Sequence, residues 1–189
     1  MRLATNDDAG ALAEVLVRAF HDDPVTIWAH PDERKRPRRN HVFFSGRLRS
    51  LVPHELTWTT DAREGAAIWA PPDAWMVPPG ELLRGFGALT VRRAPIVLWG
   101  LGAIERAHPR KPHLYLAVLG VDPSRQGQGV GSRLIAPGLE WCDREGVPAY
   151  LETAKERNVV FYERHGFRVT EERRLPRGPK VWLMWREAR

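Results

Sequence analysis

The sequence predicts an α/β (α+β) fold, a single domain in which helices are interleaved with the strands of a mixed sheet. In the C-terminal half, apolar runs of strand length alternate with segments whose apolar residues recur at helical spacing. The last two strand-like runs follow each other without a helix between them, and we expect them to form an antiparallel pair. The 189 residues fit one domain, and no repeat, low-complexity tract or linker divides them. We therefore expect one domain over residues 1–189.

The N-terminal half contains two helical patterns and one hairpin pattern. Thr5 and Asp8 have the spacing of a capping box before the first helix, and the run 21–24 ends that helix. The basic run 34–39 enters the second helix, and we interpret it as a solvated surface. In chain order the predicted elements are helix Ala9–Phe20, helix Arg38–Leu51, strands Glu55–Thr60 and Ala66–Trp69, and an interrupted helical segment Gly80–Ala107.

The C-terminal half has the clearer pattern. Its predicted elements are strand His113–Val121, helix Gly129–Glu145, strand Ala149–Thr153, helix Asn158–His165 and strands Phe167–Thr170 and Val181–Trp185. Cys142 falls on the apolar side of the first of these helices, so we expect it to pack in the core rather than act as a nucleophile.

Composition limits the classes of function. Hydrophobic residues make up 43% and charged residues 28% of the chain, which is ordinary for a globular protein. No apolar run is long enough for a membrane span, and residues 1–8 carry acids where a signal peptide needs an apolar core. With one cysteine there is no intramolecular disulfide. His21 beside Asp22 and Asp23 forms a poor ligand set. We expect a cytoplasmic protein without membrane contact and without metal.

The net charge of +6 and the pI near 10.1 favour polyanionic partners. Nucleic acid and the phosphates of a nucleotide-like cofactor both meet this description. Charge alone therefore leaves both classes of partner open.

A glycine-rich loop between a predicted strand and a predicted helix is the strongest chemical signal. Residues 125–132 read Arg-Gln-Gly-Gln-Gly-Val-Gly-Ser. Such a loop directs backbone N–H groups and the positive end of a helix dipole at an anion. A kinase-type phosphate loop would end in Gly-Lys-Ser/Thr, which is missing. A dinucleotide loop would read G-x-G-x-x-G with an acid about 20 residues later; the spacing differs here, although Glu152 lies near that distance. Simple turn glycines are the third interpretation.

With the segments that follow it, the loop resembles the GNAT superfamily of N-acetyltransferases. The acetyl-CoA loop of that superfamily has the form Gln/Arg-x-x-Gly-x-Gly/Ala, matched here by Gln126, Gly129 and Gly131. The segments Pro148–Thr153 and Arg157–Phe167 look like the strand and helix that flank the pantetheine arm in this superfamily. Within it, the sequence is most similar to puromycin N-acetyltransferase-like members.

The resemblance implies a mixed, mostly antiparallel twisted sheet with helices on both faces. It also implies a splayed parallel strand pair, here Leu114–Val121 and Ala149–Thr153, that takes acetyl-CoA between its strands. A backbone N–H near Leu119 or Val121 would then face the thioester oxygen. Asn158 would hold the pantetheine arm, or cap its helix, or both. The residues implied to bind the cosubstrate are Leu119, Val121, Gln126, Gly127, Gln128, Gly129, Val130, Gly131, Ser132 and Asn158.

Two catalytic residues are also implied by the resemblance. Direct acetyl transfer needs an uncharged amine, and the leaving thiolate benefits from a proton. Tyr162 occupies the position of the family's general acid; the alternative is a packing pair with Phe161. Glu152 is the candidate base, directly or through water; the alternative is a structural ion pair with Arg157.

These observations predict an acetyl-CoA-dependent N-acetyltransferase that acts on the primary amine of a small molecule, antibiotic-like or amino-acid-like. A protein lysine or N-terminal acetyltransferase is the alternative within the enzyme class. A nucleic-acid-binding module using residues 34–39 is the alternative of another class, but no helix-turn-helix or aromatic RNA-binding signature accompanies that run. The family resemblance allows a homodimer, which no feature of the sequence decides.

Overall fold

The computed structural model describes residues 1–76 and 93–189. The predicted segment Gly80–Ala107 falls partly outside them, and its described part is a helix over Ala94–Ala107. None of the described helices combines the length and the apolarity needed to cross a membrane.

The described residues form seven strands and six α-helices. The strands are β1 (Arg2–Leu3), β2 (Thr57–Thr59), β3 (Gly65–Ala70), β4 (Leu114–Val121), β5 (Ala149–Thr153), β6 (Arg168–Arg174) and β7 (Lys180–Arg186). The helices are α1 (Ala9–Ala19), α2 (Pro24–Ala29), α3 (Arg36–Leu51), α4 (Ala94–Ala107), α5 (Val130–Glu145) and α6 (Glu156–Arg164). Short 3₁₀ turns cover Asn6–Asp8, Val52–His54 and Pro123–Arg125.

All seven strands belong to one sheet, in the order β1-β2-β3-β4-β5-β7-β6. Strands β4 and β5 run parallel, and each of the other neighbouring pairs is antiparallel. The predicted mixed, mostly antiparallel sheet is therefore confirmed. The single parallel pair lies at its centre.

Helices cover both faces of the sheet, as the alternation along β3 shows. Ala66 and Ile68 pack in a core with residues of α1 and α3, whereas Ala67 and Trp69 pack in a second core with residues of α5. Every residue of β3 is consequently buried. Helix α5 lies so close to the sheet that a Cβ at Gly138 would overlap the Trp69 indole.

Two local predictions are corrected by the structure, and a third is confirmed. The basic run is not all solvated surface, because Arg36 is buried and donates hydrogen bonds to carbonyl oxygens of the α1–α3 connections. Helix α6 begins at Glu156 with Lys155 as its N-cap, so Asn158 lies inside the helix and is not its cap. The predicted capping box of Thr5 and Asp8 is present, on a 3₁₀ turn that leads into α1.

Candidate functional site

The parallel strands β4 and β5 separate after a short paired segment. They are in register only over Leu114–Tyr115 and Ala149–Tyr150. Beyond these residues β4 stays on β3 as far as Val121, and β5 stays on β7 as far as Thr153. A bulge on β4, with Ala117 as the extra residue opposite β3, adds local twist at this point. The facing edges therefore open into a cleft, the splayed pair implied by the family resemblance.

Two backbone N–H groups of β4 point into this cleft. The N–H of Asp122 donates to the carbonyl of Glu64 at 2.8 Å, which makes that pair a hydrogen-bonded one in the antiparallel β3–β4 ladder. Because hydrogen-bonded and non-hydrogen-bonded pairs alternate, Val121 and Leu119 belong to non-hydrogen-bonded pairs. Their N–H groups therefore turn away from β3 toward β5. These are the two residues at which the sequence predicts a donor for the thioester oxygen.

The glycine-rich loop leads from β4 to the N-terminus of α5. Gly127 and Gly129 have φ angles of 75° and 74°, in the left-handed region that favours glycine. Gly129 is the N-cap residue of α5, no side chain caps this helix, and no acid lies in its first turn. The first-turn N–H groups, which include those of Val130, Gly131 and Ser132, therefore stay available to an anionic ligand.

The loop glutamines brace the loop from within. The Gln126 side-chain amide donates to the carbonyl of Val121 at 3.1 Å. The Gln128 side-chain amide donates to the carbonyl of Ser124 at 3.2 Å, and the main-chain carbonyl of Gln128 accepts from Arg133 Nη1 at 3.2 Å. These contacts hold the loop main chain at the end of the cleft. In this geometry the loop can contact a pyrophosphate through its backbone and through the exposed Arg133.

A cavity of about 420 Å³ joins the open strand edges to helices α2, α3 and α4. Leu119, Glu152, Asn158 and Tyr162 all line it. The structure thus brings together four residues singled out in three separate parts of the sequence.

Tyr162 lies on α6 with a buried ring and a hydroxyl that makes no hydrogen bond to any described residue. Its ring makes edge contacts with Phe161 and Phe167, at centroid distances of 5.1 Å and 5.9 Å. Burial, with a smaller contribution from the negative charge of Asp23, raises the pKa of Tyr162 above its usual value. The packing contact with Phe161 predicted from the sequence is therefore present, and the hydroxyl is also positioned as a protonated group on the cavity wall.

Glu152 projects from β5 into the same cavity. The Tyr115 hydroxyl donates to its Oε2 at 2.7 Å, and His108 Nδ1 lies 3.7 Å from its Oε1. Burial and the carboxylate of Glu152 together raise the pKa of Tyr115 well above its usual value. The predicted ion pair between Glu152 and Arg157 is wrong, because Arg157 approaches Asp22 at 3.7 Å instead.

Asn158 lies one helical turn from Tyr162. Its side-chain amide donates to the Thr153 hydroxyl at 3.4 Å, which ties α6 to the end of β5. Both residues line the cavity at the open end of the strand pair. A polar group here can reach a ligand that lies between the strands.

Several cavity residues gave no signal in the sequence. Asp23 caps α2 by accepting the N–H groups of Val25 and Thr26, lines the cavity, and has a pKa raised by burial. Its neighbour Asp22 forms an ion pair with Lys155 instead of turning inward. A lone Asp-Pro at a helix break reads as an ordinary cap, so only the tertiary structure places this carboxylate at the cavity.

One wall of the cavity, on α3, is rich in hydrogen-bond donors. Arg39, Asn40 and Arg47 line it, and the last two are buried. Among the described residues the Asn40 amide nitrogen has no partner. Burial first, and then the charges of Arg39 and Arg36, lower the pKa of the neighbouring His30 to about 4. The wall therefore carries positive potential next to a neutral histidine.

Cys142 is fully buried on α5, as predicted, and burial raises the pKa of its thiol to about 12. Within residues 1–76 and 93–189, no group of three or more His, Cys, Asp or Glu side chains has the arrangement of a metal site.

Comparison with known proteins places this geometry in context. A family model described as "Acetyltransferase (GNAT) family" matches residues 43–167. An uncharacterized N-acetyltransferase of Schizosaccharomyces pombe is 43% identical over 174 residues, covering 82% of this chain and 68% of that protein. In five further curated relatives, the match covers between 11% and 37% of their own length.

Two solved structures share the fold over almost the whole chain. One is described as histone acetyltransferase HPA2 and related acetyltransferase from Corynebacterium glutamicum, with a TM-score of 0.72, 24% identity and coverage of 98% of this chain and 94% of that one. The other is an apo mutant of agmatine N-acetyltransferase, with a TM-score of 0.70, 18% identity and coverage of 98% and 97%. At these identities the likeness shows the fold alone.

Proposed function

The chain belongs to the GNAT family of acetyltransferases, and on that premise we propose that it moves an acetyl group from acetyl-CoA directly to the primary amine of a small molecule. The observation that carries the proposal is the meeting of three groups at one cavity. These are the inward N–H of Leu119, the unbonded hydroxyl of Tyr162 and the carboxylate of Glu152. Acyl transfer to an amine needs a donor for the oxyanion, an acid for the leaving group and a base for the nucleophile.

Binding of acetyl-CoA is assigned to the open strands and the loop. The N-terminus of α5 and the backbone around Gly127 and Gly129 fit a pyrophosphate, because both φ angles expose N–H groups that no side chain caps. The opened edges of β4 and β5 offer backbone groups to the amides of a pantetheine arm. Asn158 adds a side-chain amide at the end of the cleft.

The proposed chemistry assigns one role to each of the three groups. Glu152 accepts a proton from the acceptor ammonium, which makes the nitrogen nucleophilic. The N–H of Leu119 donates to the thioester oxygen as negative charge develops on it. Tyr162 donates its proton to the leaving sulfur, and its raised pKa keeps it protonated beyond the range in which an ordinary tyrosine ionises.

The acceptor is proposed to carry an anionic group in addition to its amine. Arg39 and the unpartnered amide of Asn40 line the α3 wall of the cavity, and these groups suit a carboxylate. The guanidinium group of Arg39 opposes a second positive charge such as that of agmatine, the substrate named for one solved neighbour. An amino-acid-like amine therefore fits this wall better than a polyamine.

An acceptor panel with release of the CoA thiol as the readout tests both parts of the proposal. Matched pairs that differ only in a carboxylate are the sharpest choice, for example arginine against agmatine and phenylalanine against phenethylamine. We expect the carboxylate-bearing member of each pair to have the higher kcat/KM, and Arg39→Gln to reduce that preference. A preference for agmatine would contradict the acceptor class but not the enzyme class.

Other acceptors belong in the same panel. Puromycin tests the likeness to puromycin N-acetyltransferase-like members, and a lysine peptide tests the protein-acetylating alternative. Acetylation of the peptide alone would replace the small-molecule proposal. Absence of saturable acetyl-CoA binding at micromolar concentration would contradict the proposed function altogether.

A further inference from the structure

Two buried histidines lie next to Glu152 and are not part of the cavity lining. His108 Nδ1 lies 3.7 Å from Glu152 Oε1, and His108 Nε2 lies 2.9 Å from His113 Nε2. His113 Nδ1 in turn lies 2.7 Å from the carbonyl oxygen of Lys111. His108 and His113 are only 8% and 2% exposed, so the chain of contacts is shielded from water along its length.

The hydrogen-bond pattern assigns the protons. A bare nitrogen 2.7 Å from a carbonyl oxygen would be repelled, so His113 Nδ1 carries a proton and donates it to Lys111. Burial lowers the pKa of His113, which favours its neutral form, and its Nε2 is then an acceptor. His108 Nε2 must therefore donate to His113. In neutral His108 this leaves Nδ1 with a lone pair that faces the carboxylate of Glu152.

The surroundings of His108 hold its ring in place. The Trp75 indole stacks on it at a centroid distance of 3.7 Å and an interplanar angle of 14°. Tyr115 and Tyr150 present their ring edges at 5.1 Å and 4.9 Å. Among residues 1–76 and 93–189, the titratable and charged groups near His108 are Glu152, His113 and these two tyrosines, with Arg47 of α3 close enough to Tyr115 to lower the pKa of that phenol.

His108 Nδ1 is thus an open proton acceptor that faces the carboxylate of Glu152. We propose that His108 is a positioning residue for Glu152, which receives at Nδ1 the proton that Glu152 takes from the acceptor ammonium. The inference rests on the proposed function. The 3.7 Å separation requires only a small approach, which catalytic hydrogen bonds commonly make when substrate binds.

The protons and electrons balance over one turnover. The acceptor gives one proton through Glu152 to His108, which restores the carboxylate and leaves an imidazolium. The neutral amine attacks the thioester carbon, the carbon–sulfur bond breaks, and Tyr162 protonates the sulfur. The second proton of the nitrogen restores Tyr162. After the product leaves, the proton on His108 returns through Glu152 to solvent in the cavity.

The test compares His108→Gln with wild type on two acceptors of the same skeleton, an alkylamine and its β,β-difluorinated analogue. The fluorinated amine is far less basic, so at mildly alkaline pH it arrives mostly uncharged and needs no base for its first proton. We expect kcat/KM to fall by roughly 10²-fold for the basic amine and by much less for the fluorinated one. The loss for the basic amine should shrink as pH rises toward the pKa of that amine. His54→Gln, at an exposed histidine of a 3₁₀ turn, is the matched control and should leave both rates unchanged.

An equal loss for both amines at all pH values would overturn the inference, because it would mark His108 as structural. Inactivity of the wild type toward every amine would instead overturn the proposed function, on which the role of His108 depends. Imidazole ¹⁵N chemical shifts of the intact protein give a second readout that does not require activity. We expect His113 protonated at Nδ1 only; a proton on its Nε2 would overturn the assigned chain.

Discussion

Removal of the Tyr162 hydroxyl is the sharpest test of the proposed acid. The hydroxyl makes no hydrogen bond to any described residue, and the ring contacts with Phe161 and Phe167 do not involve it. Tyr162→Phe should therefore change the free energy of unfolding by no more than about 0.5 kcal/mol. If the hydroxyl protonates the leaving sulfur, kcat should fall by roughly 10²–10⁴-fold. That loss corresponds to about 3–5 kcal/mol of activation free energy. The chemical effect would then exceed the structural one several times over.

The assay follows thiol release at saturating acetyl-CoA, beside thermal unfolding and direct measurement of acetyl-CoA affinity. Affinity should stay nearly the same, because the proposed proton transfer occurs only in the transition state. Thr170→Val is a matched control. It deletes a hydroxyl on the edge strand β6 that donates a hydrogen bond to the Leu183 carbonyl of β7. An unchanged kcat in Tyr162→Phe would refute the reasoning, as would a loss of activity accompanied by an equal loss of stability.

Three further predictions separate other roles at or near the site. Glu152→Gln keeps an acceptor for the Tyr115 hydroxyl but loses the base, so kcat/KM for a basic amine should fall by roughly 10²-fold or more and recover at high pH. Asp23→Asn keeps the helix cap and should lower kcat/KM much less. If pH–rate profiles showed the larger loss in Asp23→Asn, Asp23 and not Glu152 would be the base. Gly129→Ala places a Cβ on a residue in the left-handed region at a cost of about 1–2 kcal/mol and should lower the melting temperature measured by calorimetry. Gly10→Ala, at a helical position with open space around it, should leave the melting temperature unchanged or raise it. Cys142 should react slowly with a thiol reagent near neutral pH in the native protein and rapidly in denaturant, because the side chain is buried and burial raises the pKa of its thiol. Fast labelling of the native protein would contradict that burial.

The order of elements in the C-terminal half could be predicted from local pattern. Strand β5 was predicted at its observed bounds, and α5 and β4 to within one residue, because their apolar periodicity is set by burial on one or two faces. The N-cap of α6 was predicted wrongly. Asn158 is a good cap by residue type, but the backbone turns three residues earlier, where Lys155 leaves β5 in an extended conformation.

The sequence by itself predicted the fold class and the family, and it singled out the glycine-rich loop that we propose as the donor site, because these inferences depend on patterns among residues close together in the chain. Only the tertiary structure decided what surrounds Glu152. Its partner is Tyr115 on the neighbouring strand, and His108 and His113 approach it from before β4. Likewise α3 lines the cavity with Arg39, Asn40 and Arg47 because it packs on α1 and β3, next to the open strands, which its surface-like charge pattern did not indicate. Periodicity records which residues are buried, whereas the choice of partners between distant segments depends on how the elements pack.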